Sequence, residues 1–129
     1  MNKNNSLEVI KDCTTYIKNH LQDTLTAESL ASRYGYSLYH FCHIFKICCD
    51  MSPGKYIRLL RLEKAKKDIL SGMSITQAGF DNGFETSSGF SKAFRKEYGI
   101  SAREYLKQNK EIVLHSMLTD SQKKKILYK

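Results

Sequence analysis

Apolar residues recur along most of this chain at spacings of three and four, and the spacing of two that a half-buried strand requires is never sustained. An all-α fold is expected. Leu7, Ile10, Cys13 or Thr14, Ile17 and Leu21 form one stripe and predict a first helix. Thr26 is placed to cap a second, with Leu30, Ala31 and Tyr34 facing inward and Gly35 ending it. Ser37 caps a third, which packs Phe41, Ile44, Phe45 and Cys48. Ser52-Pro53 opens the fourth, because the serine oxygen serves an orphan amide and proline fits a first-turn position that needs no donor. From Gly54 to about Leu70 nothing interrupts that helix. Its Tyr56, Leu59, Leu60, Leu62, Ala65 and Ile69 spread over more than one face, as a rod touching a packed unit at each end requires.

Gly72 closes the rod, Ser74 with Gln77 predicts a capping box, and a short fifth helix runs to Asn82 before a turn at Gly83. A sixth, from Thr86 to Tyr98, buries Phe90, Ala93 and Phe94 and stops at Gly99. Ser101 with Glu104 predicts a further capping box and a last short helix around Tyr105. Ile112, Val113 and Leu114 either prolong that helix or belong to another piece.

The third and sixth helices repeat each other. Displaced by forty-nine positions, Phe41 falls on Phe90, Phe45 on Phe94, Lys46 on Arg95, Ser52 on Ser101 and Tyr56-Ile57 on Tyr105-Leu106. One residue out of step, Gly35-Tyr36 falls on Gly83-Phe84. Two copies of one short helix-turn-helix unit account for this. The boundaries expected are residues 1–52 for the first unit, 53–71 for the linking helix, 72–108 for the second unit and 109–129 for a C-terminal extension, helical or disordered.

Composition narrows the partners. The chain has 129 residues, 21 Lys and Arg against 13 Asp and Glu, and a formal charge of +8, which suits a polyanion. Residues 55–67 hold six of the cations and one acid, and Lys123, Lys124, Lys125 and Lys129 concentrate charge in the tail. No run of eighteen apolar residues and no secretion signal is visible, so the location expected is cytoplasmic, with no membrane partner. Cys13, Cys42, Cys48 and Cys49 lack disulfide-framework spacing and read as free thiols.

With Phe41 and Phe45 turned inward, Tyr39, Cys42, His43 and Lys46 share the outward face of the third helix, with His40 adding polar reach. The sixth helix presents Ser87, Ser88, Ser91, Lys92 and Arg95. Short hydroxyls between long cations suit a helix laid against a duplex, since serine permits close approach and the cations span to phosphate or guanine. The base-reading candidates are therefore Tyr39, His40, Cys42, His43, Ser87, Ser88, Ser91 and Lys92. The phosphate candidates are Ser37, Lys46, Arg58, Thr86, Arg95 and Lys96. Cys42 offers almost no directional hydrogen bonding, so the first set should discriminate bases less sharply than the second. A linking helix of about seventeen residues, roughly 25 Å long, is adequate for two reading helices to occupy successive major grooves.

The segment from Ile75 to Phe84, ITQAGFDNGF, followed by SGFSKAF from Ser88 and FRKEYGISAREY from Phe94, resembles the signature of the AraC/XylS family of bacterial transcriptional regulators, and R61-L-E-K-A65 resembles its linker. The resemblance covers about Leu7 to Lys107. It implies two helix-turn-helix units joined by one helix, each inserting its second helix into the major groove, with base-reading positions at Tyr39, Cys42, His43, Ser87, Ser88, Ser91 and Lys92. Three departures stand out, the first being Cys42 and His43 where longer amide or guanidinium side chains are common. Ala78-Gly79 replaces a bulkier pair, packing less volume and weakening the helix by up to about 1 kcal/mol. Asp50 replaces a glycine, a tolerable change because Asp adopts irregular turns more readily than branched residues do. Many relatives carry a separate effector-binding or dimerisation domain, so the chain reads as a small stand-alone regulator or the DNA-binding part of a larger one.

Double-stranded DNA is the main partner expected, with RNA polymerase and an effector or dimerisation domain as further ones. An enzyme is not expected. No Ser-His-acid or Cys-His arrangement and no glycine-rich nucleotide loop is legible, and no cofactor is implied. His40, Cys42 and His43 cannot all point one way, so no metal site is expected. The alternative to DNA reading is a protein-binding module, an antagonist that contacts another regulator or RNA polymerase.

Overall fold

Seven helices and no strand occur among the residues that the computed structural model describes, 3–117 for the backbone and 5–110 for side chains. They are α1 (Lys3–Asn19), α2 (Ala27–Arg33), α3 (Leu38–Cys49), α4 (Pro53–Leu70), α5 (Ile75–Asp81), α6 (Ser87–Tyr98) and α7 (Ala102–Met117). The lysine cluster at Lys123–Lys125 and Lys129 lies outside the described residues. Contacts divide the chain into two compact units, one reaching to Lys64 and including Asp81–Gly83, the other comprising Ala65–Phe80 and the residues from Phe84 onward.

In the first unit α1 and α2 each pack against α3. Ile10, Cys13 and Ile17 from α1, Leu30 and Ala31 from α2, Phe41, Ile44 and Phe45 from α3, and Ile57 from α4 share one core with Tyr36. The predicted α1 stripe is correct except at its start: Leu7 is 51% exposed. The buried arc is centred on Ile10, Cys13 and Ile17 and widens toward Val9 and Tyr16, whereas Leu7 falls on the other margin beside Thr14. Of the pair left open by periodicity, Cys13 is the fully buried one. Burial, then the neighbouring Cys49, pushes its thiol up to about 12, which makes it inert.

Arg61 belongs to this unit and is not a free surface cation. Its Nε donates to the Leu21 carbonyl at 3.1 Å and its Nη2 to the Asp23 carbonyl at 2.8 Å, holding the segment between α1 and α2. Burial lowers its pKa, and two carbonyl acceptors keep the retained charge solvated by protein.

The core of the second unit is built from rings. Phe90 lies 5.0 Å from Phe84 and 5.9 Å from Phe94, and Phe94 lies 4.7 Å from Tyr98 and 5.7 Å from Tyr105, centroid to centroid. Lys66 places its ammonium 4.3 Å from the Tyr98 ring centre, so a second cation of the basic run contributes to packing. Gly79 does more than reduce volume. A Cβ there would stand 2.8 Å from the Phe90 Cδ2, so the missing side chain is the space that the Phe90 ring fills. The loss in helix propensity is offset by ring burial.

The two copies share their capping and closing bonds. Thr26 and Ser74 accept from the amides of Ser29 and Gln77, and Thr26 with Ser29 forms a reciprocal box. The Tyr36 amide donates to the Ala31 carbonyl at 2.9 Å and the Phe84 amide to the Gly79 carbonyl at 3.0 Å, the same closing bond at the end of α2 and of α5. Gly35 and Gly83 supply the left-handed backbone this closure demands, at φ 75° and 90°. Ser37 and Thr86 cap α3 and α6, each a 12-residue helix. Counting through the turns locates the one-residue slip between the two alignments: Glu85 stands between Phe84 and Thr86, and nothing stands between Tyr36 and Ser37. Ser101 accepts from the Glu104 amide, but the helix it starts is not short: α7 runs unbroken to Met117, since no glycine or proline stops it.

Asp50 and Gly99 occupy the same left-handed cap, with φ 61° and 78°, and each amide donates 2.8 Å to the carbonyl four residues back. A side chain at that φ is strained, and its carboxylate sits where the α3 dipole disfavours negative charge. Replacing Asp50→Gly is expected to stabilise the protein by about 0.5–1 kcal/mol, net of the greater unfolded-state freedom of glycine. Denaturant midpoints check this, and a lower midpoint for the variant would contradict it.

Candidate nucleic-acid interface

Each copy turns one face of its second helix to solvent. On α6, Ser91, Lys92 and Arg95 lie three, four and seven residues beyond Ser88, and all four are exposed. Ser87 and Lys96 flank them at the edges of the same face, also exposed. Glu97, the acid of this helix, projects from the opposite side. The face is therefore cationic with hydroxyls along its middle, and it is held in place by Phe90 and Phe94, both fully buried on its back.

The α3 face has the same geometry and different chemistry. Tyr39, His43 and Lys46 are exposed in the register of Ser88, Lys92 and Arg95. The Tyr39 ring lies parallel to His43 with centroids 6.3 Å apart. Cys42, expected to point out with them, is half-buried and packs against the core. Its position nearest the buried side of the helix, and its small apolar side chain, draw it inward. His40 is exposed but lies about 100° round the helix from Tyr39, with its ring edge-on to Tyr36 at 5.1 Å. The reading candidates on α3 therefore do not form one set: Tyr39, His43 and Lys46 come together, and His40 and Cys42 sit on the flanks.

Cys48 was expected in the core and is exposed, while Cys49 is the residue packed against it. The repeat carried the signal: Cys48 stands in the register of Glu97 and Cys49 in that of Tyr98. Periodicity within one helix missed it because the end of a helix is capped, not covered.

Among the remaining candidates, Ser37 and Thr86 are exposed, and their oxygens accept from the amides of His40 at 3.2 Å and Gly89 at 2.9 Å. Each hydroxyl keeps one proton to donate. Arg58, on the first half of α4, is exposed. No group of three or more His, Cys, Asp or Glu among the described residues is arranged to hold a metal, and no described helix is long and apolar enough to cross a membrane.

Residues 30–108 match the helix-turn-helix domain family. The transcriptional activator RhaS of Escherichia fergusonii is 33% identical over 90 residues, which are 69% of this chain and 32% of that protein. The chain thus spans about a third of the length of that activator. The C-terminal domain of AraT, a response regulator from Geobacillus stearothermophilus, superposes with a TM-score of 0.74 at 27% identity, covering 78% of this chain and 84% of that one. An AraC-type DNA-binding domain protein from Chromobacterium violaceum superposes with a TM-score of 0.73 at 25% identity, covering 82% and 96%.

Proposed function

The chain belongs to the AraC/XylS-type helix-turn-helix DNA-binding domains, and from that premise we propose that it binds double-stranded DNA sequence-specifically as a transcriptional regulator, laying α3 and α6 in the major groove. The observation that carries the reading is the α6 face, where Ser88, Ser91, Lys92 and Arg95 are exposed together on a helix whose opposite side is locked by buried rings. Hydroxyls and amines at that spacing match the donor and acceptor edges that distinguish base pairs, and the first-turn amides of each helix suit a phosphate. Lys46, Arg58, Arg95 and Lys96 supply charge to phosphates, with Ser37 and Thr86 as hydroxyl donors. The family is one of regulators and not of enzymes. RNA polymerase, and an effector or dimerisation domain, are further partners of such a regulator.

Selection of duplexes from a random pool tests this. Lys92→Ala and Ser91→Ala are expected to change which base is preferred at one or two positions by about 5- to 100-fold, whereas Arg95→Ala weakens every duplex alike. Equal effects of all three on every duplex would refute the division of roles. No enrichment at all would favour the protein-binding alternative.

A further inference from the structure

The α3 face departs from α6 in a consistent direction. In the register of Ser87, Ser88 and Lys96 it carries Leu38, Tyr39 and Ile47, which are 43%, 83% and 66% exposed. Tyr39, His43 and Ile47 follow at intervals of four and form one ridge along the helix, steadied by the parallel stacking of the Tyr39 and His43 rings. Three large apolar side chains out of five such exposed among the described residues lie on this one helix. The same face carries Lys46, and from Tyr34 to Leu62 the only acid is Asp50 against Lys46, Lys55 and Arg58, with Arg61 engaged by the Leu21 and Asp23 carbonyls. An apolar ridge set in a cationic surround is complementary to a polyanion that itself bears apolar groups. In the major groove the apolar group of the bases is the thymine C5 methyl.

Resting on the DNA-binding reading above, we propose that α3 recognises its part of the site through thymine methyl groups packed against Tyr39 and Ile47, so that one unit reads A·T pairs by apolar contact while α6 reads by hydrogen bonding. Leu38 lies about 100° round the helix from Tyr39, on the side away from Ile47, and is not part of the ridge. His43 and Lys46 fix the helix on the duplex without demanding a particular base partner along the ridge. The two helices thus divide the labour: removal of a methyl is felt under α3, removal of a hydrogen-bonding group under α6.

The probe is a duplex enriched by the full chain from a random pool, in which each thymine is replaced in turn by 2′-deoxyuridine, which keeps pairing and backbone and deletes only the methyl. Affinity is expected to fall about 4-fold per methyl at two or more thymines confined to one part of the site. That loss should disappear in Ile47→Ala or Tyr39→Ala, both exposed positions whose truncation leaves the fold unchanged by circular dichroism. Uniform indifference to deoxyuridine in a duplex that still binds steeply with salt overturns the inference and leaves DNA binding intact. A deoxyuridine effect equally large in both variants also overturns it, because the methyls are then read by other residues. Failure to enrich any duplex removes the DNA reading itself and the inference with it.

Discussion

Duplex affinity is expected to fall about 150-fold as salt rises from about 50 mM to about 200 mM. Lys46, Arg58, Arg95 and Lys96 are all exposed and are the cations assigned to phosphate. If each neutralises one phosphate, the slope of log affinity against log salt is about −3.6, and a fourfold rise in salt then costs that factor. Arg61 and Lys66 are left out of the sum because their charges are spent inside the fold, on two carbonyls and on the Tyr98 ring. Arg95→Ala should bring the slope to about −2.7 and weaken all duplexes together. Arg61→Ala should leave the slope unchanged and lower stability. Titration of one selected duplex at several salt concentrations checks both, and a slope near zero would contradict the phosphate contacts altogether.

That distinction between free and engaged cations was not legible in the sequence. Residues 55–67 read as one block of charge, yet the helix rotates its members to different surroundings, and only the fold shows that the Leu21 and Asp23 carbonyls wait for Arg61. Local rules fared better. Ser37, Ser52, Ser74, Thr86 and Ser101 all accept from the amide three residues on, because capping depends on the few bonds nearest the residue. The aromatic core was equally plain, since Phe41, Phe45, Phe90 and Phe94 repeat at the same spacing and are all buried.

The errors came where one period was trusted over a whole element. Leu7 and Cys48 satisfy a spacing of three or four but are exposed, Leu7 on the margin of the buried arc of α1 and Cys48 in the last turn of α3. Comparing the copies corrects the second, because Glu97 in the matching register cannot be buried unpaired at low cost. Comparing them also isolates what differs. The scaffolds share their capping and closing bonds, so the contrast between Tyr39 and Ile47 on α3 and Ser88 and Lys96 on α6 is where the two proposed reading faces differ.

Phe94→Ala is expected to destabilise the second unit by about 3–5 kcal/mol, enough to unfold a unit of this size on its own. Phe94 is fully buried and its ring meets those of Phe90, Tyr98 and Tyr105, so truncation deletes three aromatic contacts and opens a cavity at the junction of α6 and α7. Nothing polar lines that junction from these four side chains except the tyrosine hydroxyls, so water gains little by entering and the cavity term is not relieved. Phe94→Leu keeps most of the volume and should lose about 1–2 kcal/mol. Amide hydrogen exchange separates local from global loss: α6 and α7 should lose protection in Phe94→Ala while Phe41, Ile44 and Phe45 of α3, which belong to the other unit, keep theirs. Since α6 carries Ser88, Ser91, Lys92 and Arg95, the same variant should lose the base preference assigned to α6 and bind duplex DNA through α3, keeping only the sensitivity to thymine methyls. Full protection and retained preference in Phe94→Ala would show that the ring stack does not hold the α6 face.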